Sequence, residues 1–183
     1  MADDEVELVQ RCLRGDPRAI KDLVERFQAD VYGLCVRILH HHQDAEDATQ
    51  EIFVRIFRSL ARWDAARTLR PWIMGITLNR CRTWLTQRAR RLKTTSFRLE
   101  DVARPPDEPA HELVREIEAA VSDLRPDYRS VFLLFHQHGQ GYDEISLAMD
   151  RPVGTIKTWL HRARLAILER LRQRGMVPEN SGE

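Results

Sequence analysis

The chain has 183 residues, of which 43% are apolar and 31% are charged, and its formal net charge is only +1. This composition is typical of a soluble protein with one domain or two small ones. The net charge is too small to indicate nucleic-acid binding by itself.

No apolar run approaches the ~18 residues of a membrane span. The start, Met-Ala-Asp-Asp-Glu, does not resemble a signal peptide. Cys12, Cys35 and Cys81 have neither disulfide-framework nor metal-ligand spacing. We therefore expect a cytoplasmic protein without membrane insertion, metal or other cofactor.

Apolar residues recur at intervals of three and four through almost the whole chain, which predicts an all-α fold. The predicted helices lie at residues 4–14, 17–39, 44–62, 70–91, 111–122, 127–138, 142–149 and 153–173. Between them, residues 92–110 lose this period and contain Pro105, Pro106 and Pro109, which is typical of a flexible linker. We expect a four-helix N-terminal domain over 1–91, a linker over 92–110, a four-helix C-terminal domain over 111–174 and a flexible tail over 175–183.

The stretch Trp63–Lys93 combines aromatic and basic side chains. It holds three of the four tryptophans and eight basic residues against one acid, Asp64. Aromatic rings among cations suit a surface that stacks on bases and follows a phosphate backbone. The same residues also fit buried tryptophans beneath a solvated arginine face, because tryptophan is usually buried.

Residues 142–171 have the layout of a helix-turn-helix, in which a short helix and a tight turn precede a second helix. Ile156, Leu160, Ala163 and Ile167 form one predicted buried stripe of that second helix. The residues predicted to face outward are Lys157, Thr158, His161, Arg162 and Leu165. Residues 151–174 carry seven basic residues against one acid. Such a helix suits a DNA major groove, although any amphipathic helical pair shares the pattern.

Four motifs in register resemble a bacterial RNA polymerase sigma factor of the extracytoplasmic-function group. They are Asp44-Ala45-Glu46-Asp47-x-x-Gln50-Glu51-x-Phe53, Trp72-Ile73-x-x-Ile76-x-x-Asn79, Tyr142-Asp143-Glu144-Ile145-Ser146, and Pro152-Val153-Gly154-Thr155-Ile156-Lys157 with Leu160-His161-Arg162-Ala163-Arg164. The resemblance covers roughly residues 5–172. It implies a first domain (region 2) that binds polymerase core and opens the minus-ten element, and a second (region 4) that reads the minus-35 duplex.

The resemblance also implies roles for individual residues of the first domain. Candidate contacts to the beta-prime subunit of the core are Asp47, Gln50, Glu51 and Arg55. Trp63 and Asn79 match the aromatic and amide groups that hold a flipped minus-ten base, whose unstacking must be offset by stacking and hydrogen bonds. Candidate phosphate contacts at the same element are Arg70, Arg80, Arg82 and Arg88. Trp72 matches a core position of the family.

For the second domain the resemblance implies minus-35 contacts along the last helix. The candidates are Thr155, Lys157, Thr158, Trp159, His161 and Arg162. Trp159 departs from the family, which usually has a polar residue there, so it either packs or contacts a thymine methyl group. Pro71 and Gly75 are unusual in the fourth helix. The implied partners are promoter DNA, the beta-prime and beta subunits of the core, and an anti-sigma factor.

Other functions have weaker support in the sequence. The His40–His42 run could suggest a metal site, but three adjacent histidines cannot face one point on a regular backbone. Catalytic motifs such as a P-loop or GxSxG are missing, so we do not expect an enzyme. The alternative is a stand-alone helix-turn-helix regulator whose first domain senses a signal or dimerises.

Overall fold

The computed structural model describes residues 2–92 and 109–178, and within these ranges the chain is helical without strands. The helices are α1 (Ala2–Leu13), α2 (Pro17–Leu39), α3 (His42–Ser59), α4 (Leu69–Leu92), α5 (Pro109–Asp123), α6 (Pro126–His136), α7 (Tyr142–Met149) and α8 (Val153–Gln173), with a 3-10 turn at Leu60–Arg62. The predicted all-α fold is confirmed. Most of the predicted linker and residues 179–183 of the tail lie outside the described residues.

The first half of the chain packs α3 and α4 onto α2, with α1 at its side. Asp16 starts α2 by accepting the Arg18 backbone N–H at 2.9 Å, and Pro17 occupies the first turn. The predicted apolar stripes are buried, and fully enclosed side chains include Leu23, Leu34, Ile52, Ile56 and Ile73. Burial of these stripes stabilises helices that would be marginal in isolation.

The three consecutive histidines have three different backbone roles. His40 ends α2 in the left-handed region at φ 54°, and His41 begins α3 by accepting the Asp44 N–H at its Nδ1, 3.2 Å away. His42 is already helical, and its Nδ1 lies 3.0 Å from the Tyr32 hydroxyl. The prediction that α3 opens at Asp44 was therefore wrong by two residues, because a histidine ring supplies the cap.

A buried carboxylate fixes the start of α4. Glu5 of α1 is 9% exposed and accepts the Leu69 backbone N–H at 2.8 Å, while its other oxygen lies 3.3 Å from the Arg26 guanidinium. An acid satisfies an otherwise unpaired amide at a helix N-terminus and interacts favourably with the helix dipole. Pro71 falls in the first turn of α4, where proline is tolerated.

In the second half, α5, α6 and α7 surround α8. Glu144 reaches back to accept the Gly141 N–H at 2.9 Å, which stabilises the start of α7. Asp150 ends α7 at φ 53°, and α8 follows after a short turn. The predicted stripe of α8 is buried and continues to Leu171. Part of the tail also packs on the core, because Met176 donates its backbone N–H to the Leu171 carbonyl at 2.9 Å.

The two halves are in contact through α4 against α7 and α2 against α6. Gly75 lies in the middle of α4 directly beside the Ala148 backbone of α7. A glycine inside a helix costs about 1 kcal/mol relative to alanine, so its presence here needs a packing reason. The close approach of α7 supplies that reason. The sequence alone did not predict this arrangement.

Candidate nucleic-acid interface

The outward face of α8 presents a group of polar and basic side chains to solvent. Lys157, Thr158, His161 and Arg162 are exposed, and Thr155 is half-buried. They lie opposite the buried stripe that fixes α8 against α5, α6 and α7. The structure therefore brings these five predicted minus-35 contacts onto one helix that a groove in DNA could accept.

Trp159 turns away from this face towards α6. Its ring lies 6.4 Å from that of Tyr128 at an interplanar angle of 47°, and it is half-buried. The Tyr128 hydroxyl accepts a hydrogen bond from the Arg162 guanidinium at 3.3 Å, and the Arg125 guanidinium lies 5.0 Å over the same ring. The hydrogen bond from Arg162 lowers the pKa of Tyr128. Of the two roles left open for Trp159, this arrangement favours packing.

Tyr128 was missed by sequence reasoning. It was not among the predicted site residues, yet it contacts the side chains of Trp159, Arg125 and Arg162. The spacing Arg125-x-x-Tyr128, which places a cation and a ring on one helical face, was the available signal.

Trp63 and Asn79, which were predicted to form one base pocket, line different cavities. Asn79 is exposed in a groove of about 810 Å³ between α3 and α4. Trp63 lines a cavity of about 330 Å³ together with Trp72, and α7 forms part of its wall through Glu144 and Leu147. Trp72 is half-buried and packs against the core. The indole N–H of Trp63 is buried without a hydrogen-bond partner.

The predicted phosphate-contacting arginines are already paired with carboxylates of the chain. The pairs are Arg70–Asp30 at 2.9 Å, Arg80–Glu51, Arg82–Asp127 at 2.9 Å and Arg88–Asp44 at 3.2 Å. Arg80 is only 9% exposed and also stacks on Trp84, 4.9 Å from the ring centroid. The freely exposed cationic surface expected from the sequence is thus largely neutralised in this arrangement.

Three of the predicted core contacts line the same groove as Asn79. Gln50, Glu51 and Arg55 are exposed on α3 and face α4 across it, and Val54 beside them is 48% exposed. Asp47 is exposed one turn earlier on α3. A single exposed apolar side chain is ordinary on a protein surface, so these residues remain candidate core contacts on the basis of the family resemblance.

Comparison with known proteins identifies the family. Residues 23–92 match the family described as Sigma-70 region 2, and residues 114–167 match Sigma-70, region 4. The chain belongs to the sigma-70 family. The RNA polymerase sigma-H factor of Pseudomonas aeruginosa is 32% identical over 178 residues, spanning 90% of this chain and 92% of the relative. The ECF RNA polymerase sigma-E factor of Haemophilus influenzae is 31% identical over 170 residues, spanning 86% and 89%.

A solved structure shows the same fold in a second sigma factor. The sigma factor RpoE of Bartonella quintana, determined in complex with the anti-sigma factor NepR, superimposes with a TM-score of 0.71 at 21% identity, covering 83% of this chain and 96% of that one. The protein is thus a sigma factor of the extracytoplasmic-function group, which binds RNA polymerase and directs promoter-specific initiation. This result does not favour the stand-alone regulator.

The histidines of this sigma factor do not assemble a metal site in the ranges that the structure covers. The side chain of His138 is only 7% exposed and lies beside Asp30. Burial lowers the pKa of His138 despite that carboxylate. Along residues 2–92 and 109–178, we find no helix with the length and apolarity needed to span a bilayer.

Proposed function

We propose that this sigma factor reads the minus-35 duplex with the exposed face of α8. The observation that carries the proposal is the exposure of Lys157, Thr158, His161 and Arg162 on one face, opposite a buried stripe. Lys157 and Arg162 can donate hydrogen bonds to guanine edges or phosphates. Thr158 and His161 can form hydrogen bonds with either donors or acceptors on base edges. Thr155 at the first turn suits a phosphate contact, and Trp159 supports the face by packing on Tyr128.

In the minus-ten element, Asn79 and Trp63 would hold an unstacked base. The exposure of Asn79 supports its part directly. Arg70, Arg80, Arg82 and Arg88 would follow the phosphates of the opened strand, and each must exchange a carboxylate partner for a phosphate. Trp63 lies partly beneath α7, so its participation requires α7 to move.

For polymerase binding, the groove between α3 and α4 would accept part of the beta-prime subunit. Gln50, Glu51 and Arg55 line it, Asp47 extends the same exposed side of α3, and Val54 provides an apolar contact. The beta subunit of the core is a second expected partner. Because the solved relative was crystallised with an anti-sigma factor, an anti-sigma partner is also part of the proposal. The protein would act in the cytoplasm, without catalytic chemistry of its own.

A runoff transcription assay tests this function. The protein is added to RNA polymerase core with a pool of promoter fragments from the source genome, and discrete transcripts that need both components are expected. Arg162→Ala should reduce these transcripts, whereas Arg18→Ala, at an exposed site on α2, should not. If no template gave a product with core, while the protein alone bound duplex DNA tightly, the regulator would replace the sigma factor as the explanation.

A further inference from the structure

The contact between α4 and α7 depends on a glycine that this sequence places in the middle of a helix. A Cβ atom at Gly75 would lie 2.8 Å from the Ala148 carbonyl oxygen and 3.2 Å from the Ala148 Cα. Both atoms belong to the backbone of α7, so they cannot turn aside as a flexible side chain could. Any residue other than glycine at this position would push the two helices apart.

Polar contacts extend the same interface on both sides of Gly75. Towards the start of α4, the Thr68 hydroxyl lies 3.4 Å from a Glu144 carboxylate oxygen of α7. Further along α4, the Arg82 guanidinium bonds Asp127 of α6 at 2.9 Å. At the end of α2, Arg129 of α6 bonds the His40 ring at 3.0 Å. These contacts join the two halves at separate points, which indicates a specific docked arrangement.

Docking covers one of the predicted nucleic-acid surfaces and leaves the others accessible. Leu147 and Glu144 of α7 close one side of the Trp63 cavity, and the indole N–H inside it is buried. Asp127 neutralises Arg82. By contrast, Arg162 on α8 and Arg55 in the groove between α3 and α4 are exposed.

We propose that the face of α4 around Gly75 is an intramolecular docking surface for α7, and that docking masks the minus-ten surface in the free protein. The free protein can then still engage core polymerase and duplex minus-35 DNA, but α7 must leave α4 before Trp63 and Arg82 can meet a single strand. The docking stands on the packing alone. Only its consequence rests on the proposed function, through the roles assigned to Trp63 and Arg82.

Two glycine variants test the docking without any DNA. Gly75→Ala and Gly33→Ala both place a better helix former inside a helix, but a Cβ at Gly33 meets nothing within 4 Å. Small-angle scattering should give wild type and Gly33→Ala the dimensions of a compact chain of this length, a radius of gyration of about 16 Å. Gly75→Ala should be larger by several ångströms while its circular dichroism remains helical. An extended wild type, or identical scattering from the two variants, would overturn the docking.

Asp127→Asn provides a second route to the undocked state, because it removes the negative charge that pairs with Arg82 without steric change. Asp143→Asn, at an exposed site on α7, is its control. In a background where Trp63 is the sole tryptophan (Trp72→Phe, Trp84→Phe, Trp159→Phe), acrylamide should quench the fluorescence more strongly after Gly75→Ala or Asp127→Asn. Unchanged quenching in both would show that α7 does not cover Trp63 and would refute the masking.

The effect of docking on DNA binding is measured as the affinity for the non-template single strand of a promoter found in the runoff assay. Gly75→Ala should bind this strand several-fold more tightly than wild type and Gly33→Ala, with unchanged affinity for the minus-35 duplex. An expanded Gly75→Ala protein without this gain would overturn the masking but leave both the docking and the sigma activity intact. A failure of transcription with core would instead count against the proposed function.

Discussion

The hydrogen bond between Arg162 and Tyr128 predicts a measurable coupling in minus-35 recognition. Tyr128→Phe removes only the hydroxyl that accepts from Arg162 at 3.3 Å, while the ring that packs with Trp159 and Arg125 is kept. The guanidinium then loses the contact that fixes its direction. We expect the fold and thermal stability to be retained and the free energy of duplex binding to change.

The expected size follows from the geometry. The bond is long and Arg162 is exposed, so its loss should weaken binding at the lower end for a hydrogen bond, about threefold in Kd. Arg162→Ala should cost about tenfold or more if the guanidinium reads a base edge. If Tyr128 acts only by orienting Arg162, the double variant should bind no worse than Arg162→Ala alone.

Fluorescence anisotropy of a labelled minus-35 duplex, at one fixed salt concentration, measures all four proteins of the cycle. Tyr142→Phe is the matched control. It also removes a tyrosine hydroxyl, but the contact of Tyr142 with α8 is made by its ring, 5.4 Å from the Lys157 cation, and the ring is kept. A double variant that loses the full product of the two single effects would refute the orienting role. The same conclusion would follow if Tyr128→Phe lowered the melting temperature and the affinity together.

Three further experiments probe other parts of the structure. Asn79→Ala should reduce promoter opening, followed by permanganate reactivity, more than minus-35 duplex binding, and equal losses would refute its assignment to the base pocket. Leu160→Ala, at 1% exposure in the core of the second half, should lower the free energy of unfolding by about 2–5 kcal/mol in urea titrations. A loss below ~1 kcal/mol would contradict the packing described for α8. Acidification should weaken docking through His40, because burial, Arg129 and Arg88 lower its pKa.

The sign of the pH effect follows from linkage. Since the docked state holds the pKa of His40 below the ordinary ~6.5, the undocked state binds the proton more readily. The contribution to docking is therefore present above that ordinary value and is lost as the pH falls through the lowered pKa. His40→Asn, which tolerates the left-handed backbone, should flatten the change in the radius of gyration between pH 8 and 5.5. An undiminished pH response in this variant would assign the effect to other groups.

The helices were predictable because their signals are local. Stripes at spacings of three and four, Asp16-Pro17 before α2 and Pro126 at the start of α6 act within a few residues of the structure that they determine. The start of α3 was misplaced because its cap is a histidine rather than serine, threonine, aspartate or asparagine. The hydroxyl of buried Thr77 was equally unpredicted in its role, because it donates to the Ile73 carbonyl of the same helix at 2.9 Å.

The candidate site was predicted less completely, because its geometry depends on contacts between distant parts of the chain. The spacing of α8 correctly placed Lys157 and Arg162 on one exposed face. The partner of Arg82, Asp127, is 45 residues away, and that of Arg129, His40, is 89 residues away. Gly75 was recognised as unusual, but its reason lies in the backbone of α7. Periodicity indicates which face of a helix is buried, but not which distant helix covers it.

The carboxylates paired with arginines of the first half also bear on how this protein binds DNA in general. Much of the affinity of proteins for random duplex comes from cations that displace counterions from phosphates. Here Asp30, Glu51, Asp127 and Asp44 already occupy four guanidinium groups, so a phosphate must first displace an acid of the chain. The genome offers an enormous number of non-specific sites. We therefore expect the four paired arginines to contribute less to binding at those sites than four unpaired arginines would.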